Sequence, residues 1–190
     1  MASIGYFSKI VKENHKKWMK LEDKIKKIKF KHAKTGENIE YRNQLNSYND
    51  ELAKTSFILV IFTTIAVEAY IYDYAARHLG DIFVKNHLDK LDTLSKWVII
   101  PELITGKVLS PQQDWQGKLK RLIKARNSIT HYKSWDINNN SLVDIEEKLE
   151  KFANEVRQSA QQSVGLLKLL ADKISEIDPE EAPWVQSYLA

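Results

Sequence analysis

The stretch Phe57-Ile58-Leu59-Val60-Ile61-Phe62-Thr63-Thr64-Ile65-Ala66-Val67 decides the fold. It is the longest apolar run in the chain, about half of what a bilayer span requires, and Glu68 closes it. It therefore reads as a buried core segment, not as a membrane span. From Ile39 to Leu79 the chain contains neither glycine nor proline, which predicts one long or once-broken helix stopped at Gly80.

The rest of the 190 residues use the same vocabulary. Only 6 glycines and 4 prolines interrupt a chain dominated by Lys, Leu, Ile, Ala, Glu and Asp, so helix formers prevail and hairpin signals are few. The fold class is all-α, in one globular unit, because the length supports one well-buried core and is short for two. Cysteine is absent, which removes disulfides, thiolate metal ligands and a cysteine nucleophile. Met1 to Tyr6 has no apolar core of signal-peptide length, so a cytoplasmic location with no membrane partner is expected.

Ahead of the core stretch, Phe7, Ile10, Val11, Trp18, Leu21, Ile25 and Ile28 recur mostly three, four or seven apart, a helical stripe with lysines opposite. Eleven lysines between Lys9 and Lys34 stand against Glu13, Glu22 and Asp23. That segment carries +8 of a total of +4, leaving −4 elsewhere: a basic arm on a slightly acidic body. Lys34-Thr35-Gly36-Glu37-Asn38 marks its end. The boundaries that follow are a basic amino-terminal helix over 1–37, a helical domain over 38–178 and a carboxyl-terminal tail over 179–190.

Beyond Gly80, residues 81–96 read as one or two short helices, and Trp97-Val98-Ile99-Ile100-Pro101 as an apolar cluster ending in a forced bend, since the residue before proline avoids helical dihedrals. Gly106, Ser110 and Pro111 mark a loop. From Gln112 to His131 the residues Trp115, Leu119, Leu122, Ile123 and Ile129 face one way while Lys118, Lys120, Arg121 and Lys124 cover the rest. Asp136 to Asn140 is turn material, and Ser141-Leu142-Val143-Asp144 opens a long last helix that the Pro179 to Pro183 segment ends.

The basic helix delivers Arg126-Asn127-Ser128-Ile129-Thr130-His131 at its carboxyl end. A fixed cation, an amide and a group that carries protons near neutral pH are the minimum kit for cutting RNA without a metal. On a helix Asn127 lies one turn below His131 and can orient it, whereas Arg126 points about 140° away. A second copy of the helix, crossing near His131, would supply the complementary face, which favours a homodimer with a composite site on its two-fold axis. A helix carboxyl end also favours protonated histidine.

The segment Leu122 to His131 resembles the signature of the HEPN superfamily (higher eukaryotes and prokaryotes nucleotide-binding), in which an arginine is followed by a polar residue, usually one such as asparagine, and then by a histidine after four to six spacers in all. Glu68 in a long early helix, the segment Lys96 to Pro101 and a long helix after the motif resemble that family too, over roughly 41–174. The resemblance implies a homodimeric helical bundle and a metal-independent endoribonuclease of defence or toxin systems, with RNA as partner and with no cofactor. It also implies roles: His131 as general base or acid at the 2′-hydroxyl or 5′-oxygen, Arg126 on the scissile phosphate, Asn127 positioning either. An antitoxin or other regulatory partner belongs to the same picture. In members silenced by a nucleotidyltransferase a tyrosine follows the histidine by two residues. Here Tyr132 is adjacent and Lys133 holds that place.

Glu68 is then either a structural partner of Arg126 or a lysine, or a supporting residue of the site. Tyr132, Lys133, Trp135 and Lys124 are the RNA-binding candidates around the motif. The remaining histidines, His15, His32, His78 and His87, read as surface residues, and no metal site is expected. Two other readings of the same residues stand beside the nuclease: a non-catalytic helical dimer that binds nucleic acid or a nucleotide or acts as an adaptor, and a plain bundle in which Arg126 pairs with Glu68 and His131 caps a helix.

Overall fold

The structure, a computed structural model, describes residues 2–35, 38–131 and 142–190. All its elements are helical, and the described residues include no strand. Helix α1 (Ala2–Thr35) turns back into α2 (Ile39–Leu79), where Asn38 accepts the Tyr41 N–H at 2.8 Å and so satisfies one of the free amides of the first turn. The two run antiparallel: Phe7 meets Phe62, Trp18 Nε1 donates to Ser56 Oγ at 2.9 Å, and His32 packs on Tyr41.

Leu59, Val60, Ala66, Val67, Tyr70, Ile71 and Tyr74 are all fully buried, so the second half of α2 is the core of the molecule. By length and composition alone α2 could cross a membrane. Here α1, α4, α5 and α6 pack against it. The expected stop holds: Gly80 ends α2 with φ 86°, a value that costs glycine little and other residues more.

After α2 come a single turn, α3 (Asp81–Phe83), and a π-helical turn over Val84–Leu88, closed by Asp89 N–H to Val84 O at 2.9 Å. Helix α4 (Thr93–Thr105) then starts on Asp92, whose Oδ1 accepts the Ser95 N–H at 3.1 Å, and ends on Gly106 at φ 69°. The helix does not end at Pro101 as the sequence suggests: the proline lies inside α4. Local preference loses here because the turn before the proline is anchored and the proline itself is buried. Trp97 is buried against Tyr70 with ring centres 5.8 Å apart, its indole N–H reaches Val67 O at 3.3 Å, and Ile100 and Pro101 are buried as well.

A 3₁₀ turn (Gln112–Asp114) leads into α5 (Trp115–Thr130), and the long α6 (Leu142–Ile177) follows. Helix α1 is part of the core: Val11, Trp18, Leu21 and Ile25 are buried, and Arg157 of α6 reaches its nearly buried Glu22 at 2.5 Å.

Residues 179–190 are no tail. They form α7 (Ala182–Tyr188), with Val185 and Leu189 fully buried and Ser8 Oγ donating to Tyr188 O. What fixes this end is Glu181, 3% exposed, which receives Arg77 Nη1 and Nη2 at 2.8 and 2.6 Å and the Tyr70 hydroxyl at 2.9 Å. Beside it the Tyr74 hydroxyl donates to Asp178 Oδ2 at 2.8 Å.

Replacing Glu181 by alanine leaves Arg77 and Tyr70 without their acceptor and should cost about 2–4 kcal/mol in urea unfolding. Burial, reinforced by Glu181, pushes the Tyr70 phenol upward, and burial with the Asp178 bond does the same to Tyr74. The unfolded chain thus loses these protons first. Stability should hold up to about pH 10 and fall above it, by up to about 1.4 kcal/mol per pH unit for each tyrosine. Tyr70→Phe should flatten that alkaline slope.

Candidate functional site

Helices α2, α4 and α5 leave an open cleft of about 610 Å³ between them. Its centre follows from the edges of their buried faces. Glu68 comes directly after the fully buried Val67, and Arg126 directly after the buried Ala125, so each leaves the core where its helix meets solvent. Their side chains remain 39% and 28% exposed and meet as an ion pair, Arg126 Nη2 to Glu68 Oε1 at 2.7 Å.

The same oxygen accepts the Thr93 hydroxyl at 2.6 Å. Thr93 is the first residue of α4, where a helix amino terminus favours negative charge, so the carboxylate is held from two sides. The other N–H groups of Arg126 make no hydrogen bond to a described residue, and the guanidinium stands in the cleft with Asn127 beside it.

Asp89, whose backbone N–H closes the π turn, also lines the cleft, 3.5 Å from Lys96 Nζ. Asp92, also in the lining, is held below the usual carboxylate range by the Ser95 hydroxyl and then by the Ser95 amide. Tyr72 closes one side and donates to Asp81 at 2.7 Å.

His131 follows a different course. It ends α5 with non-helical dihedrals, φ −112° and ψ 37°, and its backbone N–H donates to Asn127 O at 2.9 Å, so the one-turn spacing between the two is kept. Its side chain is exposed and does not line the cleft. A single chain therefore unites Arg126, Asn127 and Glu68, and leaves His131 a turn further on at the helix end. Lys124, expected at RNA, pairs with Glu155 of α6 at 2.7 Å. Tyr132, Lys133 and Trp135 lie outside the described residues.

Thr93, Lys96 and Asp89 belong to the cleft without having been singled out as site residues. The signal for Thr93 was present: Asp92-Thr93-Leu94-Ser95 is a helix-start pattern that puts Thr93 at an amino terminus. Nothing local marks Asp89, because a π turn has no sequence signature of comparable strength. Among the described residues no three His, Asp or Glu side chains converge in a way that could hold a metal ion. The other histidines are engaged in contacts: His15 Nε2 lies 3.2 Å from Gln161 O, and His78 lies 3.8 Å from Glu181.

The fold and cleft define an all-helical protein with an oriented arginine in an open, mixed-charge groove. Comparison with protein families, with curated proteins and with solved structures finds no match for this chain.

Because the Arg126–Glu68 pair is partly exposed, its coupling should be modest. A double-mutant cycle of Arg126→Ala and Glu68→Ala, read by chemical denaturation, should give about 0.5–1 kcal/mol. A value near zero would mean that the pair does not hold in solution.

Proposed function

We propose that this protein is a HEPN-type, metal-independent endoribonuclease acting in a defence or toxin setting in the cytoplasm. The observation that carries the reading is the Arg126 guanidinium, held in an open cleft by Glu68, whose carboxylate Thr93 anchors in turn, with Asn127 beside it and His131 one turn on. An arginine fixed through one nitrogen keeps others for phosphate oxygens, and it needs little reorganisation as charge grows there.

The chemistry runs from the ribose. The 2′-oxygen attacks the adjacent phosphorus, the P–O5′ bond breaks, the 2′-proton goes to a base and the 5′-oxygen receives a proton. Arg126 stabilises the negative charge on the phosphoryl oxygens, Asn127 orients the phosphate or the imidazole, and His131 carries one of the protons. The products are a 2′,3′-cyclic phosphate and a 5′-hydroxyl. Since His131 lies outside its own chain's cleft, the complete site in this reading is shared, with His131 from one subunit working beside Arg126 of the other in a homodimer. A regulatory partner that restrains such an activity fits the same setting.

One observation favours a second reading. Arg126 is already paired with Glu68, and the His131 side chain does not line that cleft, which suits a non-catalytic dimer or adaptor whose ion pair is structural.

The two readings separate with mixed-sequence single-stranded RNA in EDTA. On the nuclease reading the wild type yields cyclic-phosphate ends, and His131→Ala and Arg126→Ala each lower the rate by at least about 100-fold. The His131 variant should keep its unfolding midpoint, since the imidazole is exposed. Intact RNA with wild type, together with a lowered midpoint for Arg126→Ala, would support the structural reading.

A further inference from the structure

We infer that the outer face of α1 is a binding surface for the phosphate backbone of duplex nucleic acid, read without regard to sequence. With about 100° between successive residues, Lys9, Lys12, Lys16, Lys20 and Lys27 fall within a sector of about 80°, opposite the buried Val11, Trp18, Leu21 and Ile25. From Lys9 to Lys27 the ridge runs about 27 Å along the helix axis. Four of these lysines are exposed and Lys12 is half-buried, and none makes an ion pair or hydrogen bond with a described residue.

Asp23 lies within the sector and Glu13 about 20° outside it, Lys17 pairs with Glu51 at 2.5 Å, and Lys24 leans over the Tyr48 ring. The ridge stays strongly positive after these are counted, while the chain outside 9–34 is net negative, so the helix is a segregated cationic edge rather than part of a balanced surface.

Three features choose the occupant. The apolar face of α1 is buried in the core, so the helix cannot insert it into a lipid interface as surface-bound amphipathic helices do. Packing on α2 and α6 keeps the ridge fixed, which suits a stiff, linear array of charge. The segment also holds no arginine, so its contacts would be point charges and not bidentate forks, the pattern of backbone contact without base readout. No residue of α1 lines the Arg126 cleft, and the surface stands whether or not that cleft cuts RNA.

The test is fluorescence anisotropy with a duplex DNA of about 20 base pairs, which lacks the 2′-hydroxyl and is not a substrate for the chemistry above. The wild type should bind with a slope of log affinity against log salt near −4, close to about 0.9 per phosphate neutralised. Changing Lys9, Lys12, Lys16, Lys20 and Lys27 to glutamine should abolish most of that slope and weaken low-salt binding by at least about 100-fold. A control with Lys85, Lys90, Lys120, Lys151 and Lys168 changed instead should keep the slope within about one unit of wild type. Circular dichroism and a melt of each variant establish that it is folded; should the ridge variant fail to fold, five separate single substitutions, each lowering the slope by about one, carry the same test. Equal losses in ridge and control variants, no DNA binding by wild type, or ridge-dependent binding to vesicles of about 30% phosphatidylserine tighter than to DNA would each overturn the inference.

Discussion

The burial of the inner face of α2 is the constraint on which the remaining structure depends. Along its second half Leu59, Val60, Ala66, Val67, Tyr70, Ile71 and Tyr74 are fully buried while Ile58, Ile61, Ile65, Glu68 and Tyr72 are partly open, so its stability rests on the cover over that inner face. Helices α1, α4, α5 and α6 pack against it. The hydroxyls it carries inward are mostly absorbed locally: Thr55, Ser56 and Thr64 donate to carbonyls one turn back, at 2.8, 2.7 and 2.9 Å. Ser56 also accepts the indole of Trp18, which ties the basic helix to the core at a fixed register.

Both polar centres of the molecule arise where the buried face of that helix borders solvent. At its carboxyl end, Arg77 and the hydroxyl of Tyr70 converge on Glu181 and pin the last helix in place. A turn or so earlier, Glu68 emerges between α4 and α5 and is met by Thr93 and Arg126. The two differ in exposure, and that decides their character. Glu181 is sealed and its network is structural. Glu68 and Arg126 stay open to a cleft large enough for a ligand, so the same kind of ion pair can both hold the helices and present a cation.

The division of charge follows from the same packing. Once the apolar stripe of α1 is packed on α2 and α6, Lys9, Lys12, Lys16, Lys20 and Lys27 are left on the opposite side, so the packing that buries the helix also gathers the ridge. The basic arm read from composition is therefore no appendage on a separate body. Its apolar face is as much core as that of α6, whose Val156, Ala160 and Leu167 are buried as well.

Much of this was legible in the residues because it is local. The all-helical class, the α1 stripe, the start at Asn38 and the stops at Gly80 and Gly106 follow from periodicity and from the dihedral freedom of glycine. What the sequence misjudged was non-local. Pro101 looks like a break until Trp97 and Ile100 are anchored on α2, and residues 179–190 look like a tail until Glu181 finds Arg77, over a hundred positions away. Likewise, spacing placed Asn127 one turn from His131, but only the packing of three helices could bring Glu68, Thr93 and Arg126 together and leave His131 outside their cleft. Short-range geometry sets the period of a helix and the ends of its turns. Which charged side chains share a cleft is set by the crossing of helices, and that is fixed by the whole core at once.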